Sequence, residues 1–263
     1  MPRIRVLVIG TAGRMGREVV RAVSAQGDMS LVAAVDRSGV GKDAGTAAGL
    51  EPIGVTIAGS LSDAIQQQSP EVSVDFSLPG AVMANARAVV GARVACVIGA
   101  SGLTEDDLVE LAALCEQHKT PAFYTPNFAI GAVLMMQFAA QAARYMDAVE
   151  IIELHHATKV DSPSATAART ARLMAEQAGS KVAPHPSGDH GPARGTAVEG
   201  IPIHSVRLPG LVAHQEVIFG GLGQTLTIRH DSTGRDSFMP GVLLAIRKVR
   251  SLSGLTVGLE KLL

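Results

Sequence analysis

The sequence contains no tryptophan, only two cysteines and almost no excess of charge of either sign. Aromatic residues make up 3% of the 263 residues, and 23 lysines and arginines stand against 24 acidic residues. A dedicated nucleic-acid-binding protein needs clustered lysine and arginine to neutralise phosphates, so this balance argues against that class. The two cysteines, Cys96 and Cys115, are too few for a disulfide framework or a structural zinc site.

Long hydrophobic runs are also missing, and the N-terminal residues do not resemble a signal peptide. No stretch approaches the about 18 consecutive apolar residues that a membrane span requires. The N-terminus, MPRIRVLVIG, has a short apolar run but no small-residue cleavage site, which is not typical of a signal peptide. The sequence does have 28 glycines and 47% hydrophobic residues. We therefore expect a turn-rich α/β protein of enzyme size in the cytoplasm.

The first half of the chain alternates short β-branched runs with helical patterns. Buried strands are predicted at 4–9, 31–35, 72–76 and 94–98, and helices at 15–26, 61–68, 81–91 and 104–119. Thr104 is expected to cap the last of these helices, because three acidic residues follow it and meet the positive end of the helix dipole. Strand–helix alternation at this spacing predicts a parallel sheet with right-handed crossovers.

The pattern changes after about residue 126. Further helices are predicted at 130–146, 164–178 and 240–252, strands at 149–154, 203–207, 214–219 and 225–230, and a Gly-, Pro- and His-rich loop at 182–199. The last three strands are expected to pair antiparallel through short turns. The predicted fold is α/β: an N-terminal Rossmann-type parallel sheet, at 1–126 plus 239–263, with an inserted α+β domain at 127–238.

A glycine-rich turn follows the first predicted strand directly. It reads Gly10-Thr11-Ala12-Gly13-Arg14-Met15-Gly16, a G-x-x-G-x-x-G variant of the dinucleotide-binding fingerprint. Such a site needs glycine because the backbone must turn tightly and approach a pyrophosphate, while the helix N-terminus supplies N–H donors. A chance match is plausible among 28 glycines, but the position between the first strand and the first helix favours a cofactor site.

Asp36 ends the second predicted strand, about 20 residues after the last glycine of the turn, where a carboxylate can hold adenosine ribose hydroxyls. Arg37 follows it and could pair with a 2′-phosphate, so the sequence predicts that NADH and NADPH are both accepted. The alternative is that these two residues form an ordinary solvated turn.

A second cluster of polar residues lies at 155–166. It contains the paired His155 and His156, Lys159, and a start of a helix rich in hydroxyls at 164–166. Histidine suits proton transfer near neutral pH, lysine offers a cation or an acid, and a helix N-terminus binds anions. The cluster therefore favours acid–base chemistry on an anionic substrate.

Two other interpretations of this cluster are weaker. A histidine pair could bind a metal, but no acidic or cysteine ligands recur at metal spacing, so no metal is predicted. Ser164 lacks the G-x-S-x-G context of a nucleophile elbow. The remaining histidines are interpreted as structural: His118, His185, His190, His204, His214 and His230.

Residues 153–167 read E-L-H-H-A-T-K-V-D-S-P-S-A-T-A. This segment resembles the signature E-x-H-H-x-x-K-x-D-A-P-S-G-T-A of the dihydrodipicolinate reductase family, with Ser162 in place of alanine and Ala165 in place of glycine. The run at 9–16, which ends in G-R-M-G, the I-G-x-x-G run at 98–102, and Asn127-Phe128 followed by Gly131 also match the family. The resemblance covers most of the chain but is weaker at 182–223.

The resemblance implies NAD(P)H-dependent reduction of 4-hydroxy-tetrahydrodipicolinate to tetrahydrodipicolinate in lysine and diaminopimelate biosynthesis. It implies a homotetramer with an N-terminal cofactor domain and a C-terminal domain for substrate and assembly. His155 would donate or accept a proton, Lys159 would donate one, and His156, Ala165 and Thr166 would hold substrate carboxylates. Cofactor contacts would come from Gly10, Thr11, Ala12, Gly13, Arg14, Met15, Asp36, Arg37, Gly99, Ala100, Ser101, Thr125, Pro126, Asn127 and Phe128.

Two rival functions are considered. One is another two-domain NAD(P)-dependent dehydrogenase, which acts on an amino acid or a semialdehyde. A semialdehyde dehydrogenase needs a cysteine nucleophile in the catalytic domain, whereas both cysteines of this chain fall in the cofactor half. The other is a redox-sensing module that binds NAD(P)H as a ligand. Such a module needs no proton donors, so His155 and Lys159 in register with the family motif argue against it.

Overall fold

The computed structural model describes residues 2–178 and 192–263. The chain divides into two units, Met1–Phe128 with Phe238–Leu263, and Ala129–Ser237. His185, His190 and most of the loop predicted at 182–199 lie outside the described residues. In the part of the chain that is described, no helix is long and apolar enough to cross a membrane.

The strands are β1 (Ile4–Ile9), β2 (Met29–Val35), β3 (Ile57–Ala58), β4 (Val72–Asp75), β5 (Ala95–Ile98), β6 (Ala122–Tyr124), β7 (Ala148–His155), β8 (Thr196–Val198), β9 (Ile201–Arg207), β10 (Ala213–Gly221), β11 (Gln224–Ser232) and β12 (Leu255–Val257). The helices are α1 (Arg14–Ser24), α2 (Ala44–Ala47), α3 (Leu61–Gln68), α4 (Pro79–Gly91), α5 (Glu105–His118), α6 (Ile130–Ala142), α7 (Ala165–Ala178) and α8 (Met239–Lys248).

The first unit is built on a seven-stranded parallel sheet in the order β12-β6-β5-β4-β1-β2-β3. All four residues of β4 and of β5 are buried, as expected for parallel strands covered by helices on both faces. Thr104 caps α5, because its hydroxyl accepts the N–H of Asp107 at 3.2 Å and the Asp107 carboxylate accepts the N–H of Thr104 at 2.9 Å. The predicted Rossmann-type sheet and this helix start are confirmed.

The second unit has a five-stranded mixed sheet in the order β11-β10-β7-β9-β8. The predicted antiparallel pairing is confirmed for β10 with β11 but wrong for β9, which pairs parallel with β7 and antiparallel with β8. The reason is that β7 lies between β9 and β10 and hydrogen-bonds to both. In this arrangement Ile151 stands beside Ile203 and Val217, and all three are buried on one face.

Candidate active site

The predicted cofactor segments follow strands of one parallel sheet, so they lie along one edge of it. Gly10 follows β1, Asp36 follows β2, Gly99 follows β5 and Thr125 follows β6. Their backbone N–H groups extend the sheet: Gly10 donates to Val35 O at 2.9 Å, and Thr125 donates to Ile98 O at 3.2 Å. The carboxyl edge of an open parallel sheet is where ligands bind in such folds.

The turn after β1 requires glycine at two positions. Gly10 has a φ of +80°, and a Cβ there would lie 2.7 Å from the carbonyl oxygen of Phe76. A Cβ on Gly16 would collide with the carbonyl of Gly10. Helix α1 then begins at Arg14 with Gly13 as its N-cap and no side-chain capping bond. The turn therefore brings bare backbone and a helix N-terminus to the surface, which is the arrangement that binds a pyrophosphate.

A cleft of about 400 Å³ lies beside this turn. Of the predicted cofactor residues, Gly10, Ala12, Gly13, Asp36 and Arg37 line it. The structure adds residues that sequence reasoning missed: Ile9, Val35, Ser38, Gly59, Leu61, Phe76, Ser77, Leu78, Ala81 and Asn85. Several of these follow β4, which lies next to β1, so an explicit strand order would have pointed to them.

Two of the predicted residues have side chains engaged with the backbone. Thr11 is fully buried, and its hydroxyl donates to Val8 O at 2.9 Å, so its side chain does not line the cleft. The carboxylate of Asp36 accepts the N–H of Ala12 at 2.9 Å and the N–H of Ser38 at 2.8 Å. Asp36 therefore joins the end of β2 to the glycine-rich turn.

Asp75 holds two of the residues that line the cleft, Ser77 and Asn85. Its carboxylate accepts the N–H of Ser77 at 2.7 Å and the side-chain amide of Asn85 at 2.9 Å. Burial raises the pKa of Asp75 above its ordinary value, although the hydrogen bonds from Ser77 and Asn85 oppose that shift. Asp75 thus fixes the orientation of two residues that line the cleft.

The segments predicted to lie at the nicotinamide do not line this cleft. Ala100 is buried and Ser101 is exposed. The Thr125 hydroxyl donates to Asn127 O at 3.0 Å across Pro126, closing a tight turn. Phe128 is 2% exposed, and its ring packs 5.7 Å from that of Phe76 and 6.0 Å from that of Phe123, centroid to centroid. Their contacts with a cofactor remain predictions.

In the second unit, β7 ends at His155, whose Nδ1 lies 2.6 Å from a carboxylate oxygen of Glu153. Glu153 is completely buried and also accepts two hydrogen bonds from Arg207, at 2.7 and 2.8 Å, and one from the N–H of Ser164 at 3.1 Å. Burial alone would raise the pKa of Glu153, but the hydrogen bonds from His155 and Arg207 outweigh it and lower the pKa to about 2. Glu153 is therefore ionised at neutral pH.

The loop after β7 folds back in a short turn. Lys159 donates its backbone N–H to His156 O at 3.1 Å, and its ammonium group pairs with Asp161. His156 is exposed, with Nδ1 2.9 Å from the Thr158 hydroxyl oxygen. The carbonyl of Asp161 accepts a hydrogen bond from Arg207 at 2.8 Å. Arg207 thus connects the loop that carries Lys159 to the buried carboxylate that contacts His155.

Helix α7 begins at Ala165, directly after this loop. The Ser164 hydroxyl accepts the N–H of Ala167 at 3.1 Å and so caps the helix, and Ser164 is buried. Ala165 is exposed, and it does not have a positive φ, so alanine in place of the family's glycine causes no backbone strain. Thr166 is partly exposed in the first turn. Through Glu153, the start of α7 is tied to His155.

Among residues 2–178 and 192–263, no group of three or more His, Cys, Asp or Glu side chains could hold a metal ion. Both cysteines belong to the first unit and are buried. Burial raises the pKa of the Cys96 thiol to about 12 and that of Cys115 to about 11. Neither thiol is therefore a ready nucleophile near neutral pH.

Comparison with known proteins identifies relatives along the whole chain. The family model for the N-terminus of dihydrodipicolinate reductase matches residues 4–128, and the model for its C-terminus matches residues 131–263. The 4-hydroxy-tetrahydrodipicolinate reductase of Moorella thermoacetica is 52% identical over 261 residues, covering 99% of this chain and 98% of the relative. That of Gloeobacter violaceus is 48% identical and covers 99% of both chains.

Solved structures agree with these matches. The dipicolinate-bound dihydrodipicolinate reductase of Paenisporosarcina sp. TG-14 superposes with a TM-score of 0.86 at 42% identity, covering 99% of this chain and 100% of that one. An amine dehydrogenase from Mycobacterium smegmatis reaches a TM-score of 0.68 at 16% identity, covering 96% of this chain and 94% of that chain, which shows a shared fold alone.

Proposed function

The chain belongs to the dihydrodipicolinate reductase family, and on that premise we propose that it reduces 4-hydroxy-tetrahydrodipicolinate to tetrahydrodipicolinate with NADH or NADPH. The reaction serves lysine and diaminopimelate biosynthesis. The observation that carries the proposal is the cluster of His155, Lys159 and the start of α7, which Glu153 and Arg207 hold together in one unit. The dipicolinate bound by the Paenisporosarcina relative supports a cyclic dicarboxylate as the substrate.

The first unit fits a dinucleotide. A pyrophosphate would rest on the backbone of Gly10 to Met15, a turn that needs glycine at its start because a Cβ on Gly10 would collide with the backbone of Phe76. The adenosine ribose would be read by Asp36 and Arg37, which line the cleft. Gly99 to Ser101 and Thr125 to Phe128 follow the neighbouring strands β5 and β6, and we assign them to the nicotinamide end. Bound there, the reduced nicotinamide supplies a hydride.

The second unit fits the other half of the reaction. Loss of the 4-hydroxyl group as water turns the substrate into a conjugated imine. Hydride addition to this imine leaves an electron-rich enamine, which must be protonated, and His155 and Lys159 are the proton donors we assign to this step. The two substrate carboxylates need cations and N–H donors. His156 and the first turn of α7 at Ala165 and Thr166 supply them, because a helix N-terminus favours negative charge.

The rival semialdehyde dehydrogenase finds no support. It requires a thiolate nucleophile, whereas Cys96 and Cys115 are buried with raised pKa values and lie in the unit that carries the cleft. The proton-donating cluster of the second unit would also have no purpose in a module that only senses the cofactor.

We further propose that the protein is a cytoplasmic homotetramer assembled through the second unit. Helices α6 and α7 pack on one face of its sheet. The opposite face carries the partly exposed aliphatic side chains of Ile152, Leu154, Val206 and Ile218. A sheet face of this kind is suited to bury against a second copy. Light scattering should give four times the mass of one chain, and the mass of a single chain would refute the assembly.

A steady-state assay tests the catalytic proposal. Freshly made 4-hydroxy-tetrahydrodipicolinate is added to the purified protein with NADH or NADPH, and oxidation of the cofactor is followed by absorbance. We expect oxidation that depends on both the substrate and the enzyme. If a folded protein, verified by circular dichroism, oxidises neither cofactor above the rate without substrate, the proposed function is wrong.

A further inference from the structure

One buried carboxylate contacts the assigned proton donor but has no assigned role. We propose that Glu153 is a positioning residue, which holds the His155 ring with its proton on Nδ1 and ties that ring to the substrate-binding start of α7. This inference rests on the function proposed above, because it concerns how the same site is made ready for proton transfer.

The geometry limits how the His155 ring can be protonated. Nδ1 lies 2.6 Å from a Glu153 oxygen, which is hydrogen-bonding distance. An ionised carboxylate can only accept, so Nδ1 must carry the hydrogen atom. In the neutral ring Nε2 then has the free lone pair, and in the charged ring Nε2 carries the second proton. Nε2 is therefore the atom through which His155 exchanges a proton with a bound molecule.

The same carboxylate sets the position of the anion-binding helix start. Its other oxygen accepts the N–H of Ser164 at 3.1 Å, and Ser164 in turn caps α7 through its hydroxyl. One rigid group therefore fixes both the proton donor and the turn assigned to a substrate carboxylate. A misplacement of either by a fraction of an ångström would lower the rate, because proton transfer depends on close alignment.

Arg207 is what keeps Glu153 ionised in a buried place. It donates through both terminal nitrogens to the two Glu153 oxygens, at 2.7 and 2.8 Å, and it also donates to the carbonyls of Val206 and Asp161, each at 2.8 Å. The pair is far less exposed than a surface ion pair, with 19% exposure for the Arg207 side chain and none for Glu153. Removing one of the two charges would leave the other buried without its partner, which strongly destabilises the folded protein.

The chain contains a matched control on the same strand. Glu150 of β7 also pairs with a histidine and an arginine, His204 at 2.7 Å and Arg194. It differs in two respects: it lies on the opposite face of the sheet, and its side chain is 31% exposed. A role specific to Glu153 should therefore be absent in a Glu150→Gln variant.

The test combines nuclear magnetic resonance of the ring nitrogens with kinetics. Protein with ¹⁵N-labelled histidine is measured without cofactor or substrate, and His155 is assigned from the signals lost in His155→Gln. In the wild type and in Glu150→Gln, we expect the neutral His155 ring to carry its proton on Nδ1. In Glu153→Met/Arg207→Met, which removes both buried charges together, we expect the proton to move to Nε2, the usual site in water.

The kinetic expectation separates positioning from a merely structural role. Glu153→Gln and the double variant should lose about 10- to 100-fold in kcat, part of the range that a general acid supplies. The Kd of NADH, measured by calorimetry, should stay within about two-fold of wild type. A wild-type His155 protonated on Nε2 would overturn the proposal, and so would a Glu153→Gln variant with wild-type kcat.

The outcomes also separate this inference from the proposed function. A wild-type protein that lacks reductase activity but carries the His155 proton on Nδ1 would refute the function and leave the positioning intact. An active wild type that carries the His155 proton on Nε2 would refute the positioning role and leave the proposed function intact. The wild-type tautomer needs no variant, so the proposal is decided even if the double variant fails to fold.

Discussion

The ammonium group of Lys159 lies 2.7 and 2.8 Å from the two carboxylate oxygens of Asp161, two residues further along the same loop. The hydrogen bond from Lys159 lowers the pKa of Asp161 below its ordinary value, so the Asp161 carboxylate is ionised near neutral pH. A substrate that takes a proton from Lys159 must therefore compete for the ammonium group with a carboxylate that the protein itself supplies. Because the Asp161 side chain is 57% exposed, this competition is weak.

Asp161→Asn should lower the KM for the dicarboxylate substrate. An exposed ion pair is worth about 0.2–1 kcal/mol, so the expected decrease is no more than about five-fold. Steady-state kinetics at fixed NADH concentration would measure it, with Asp147→Asn as a control for removal of an exposed charge from the same unit. A higher KM in Asp161→Asn would instead mean that Asp161 orients Lys159 for substrate.

His155→Ala and Lys159→Ala should each reduce kcat by about 10²- to 10⁴-fold, the range for a positioned general acid. The Kd of NADH should not change, because both residues belong to the second unit and the cleft is lined by the first. Kinetics and cofactor titration check both statements, and His204→Ala serves as the control histidine. Wild-type turnover in either variant would remove that residue from the proton-transfer step.

Arg37→Ala should weaken NADPH selectively. Arg37 is exposed at the cleft, where it can pair with the 2′-phosphate that NADH lacks. A hydrogen bond to a charged group is worth about 1.5–3 kcal/mol, and the exposure of Arg37 favours the lower end, or about ten-fold in Kd. Calorimetry with both cofactors measures the difference. An equal loss for NADH and NADPH would show that Arg37 does not contact the phosphate.

Ala165→Gly should tighten binding of pyridine-2,6-dicarboxylate, a planar mimic of the ring substrate. The alanine methyl is exposed in the first turn of α7, where it can crowd a carboxylate bound to the helix N-terminus. The substitution should also cost about 1 kcal/mol of stability, because glycine is a poorer helix former. Calorimetry and thermal unfolding are needed together. Unchanged or weaker binding in a folded variant would refute the crowding.

The stability of the protein should fall in acid because of Glu153. A lowered pKa in the folded state contributes stability that is complete above the ordinary value of 4.5 and is lost as the pH falls towards about 2. For a shift of this size the contribution is about 3 kcal/mol. Urea unfolding across that pH range should show a smaller loss in Glu153→Met/Arg207→Met. An equal loss of stability in the wild type and in the double variant would show that Glu153 is not the group responsible.

Much of the parallel sheet could be predicted from the sequence, because its central strands are long apolar runs bounded by turn residues. β1 and β2 are examples, and the capping residue Thr104 has a local signal of its own. Strands β3, β6 and β12 were not predicted, because two or three residues are too few to show a hydrophobic periodicity. The parallel pairing of β9 with β7 was not predicted either, because it depends on the order of the strands in the sheet.

Some residues of the candidate site could be predicted from the sequence, and others could not. His155 and Lys159 stand out in the sequence as residues suited to proton transfer. Arg207 does not, because it lies 54 residues from Glu153 along the chain and only the pairing of β9 with β7 brings them together. Glu153 is part of the matched motif, but its contact with Ser164 depends on how the intervening loop folds back.

Transfer of a labelled hydride from the cofactor to the substrate would show directly that the protein catalyses the proposed reduction. The enzyme is supplied with 4-hydroxy-tetrahydrodipicolinate and a reduced cofactor whose two C4 hydrogens are replaced by deuterium, and the product is analysed by mass spectrometry. We expect tetrahydrodipicolinate that carries one deuterium per molecule, because the cofactor supplies one hydride and the other hydrogen comes from a proton donor of the protein. Tetrahydrodipicolinate without deuterium, or no tetrahydrodipicolinate at all from a folded enzyme, would contradict the proposed reduction.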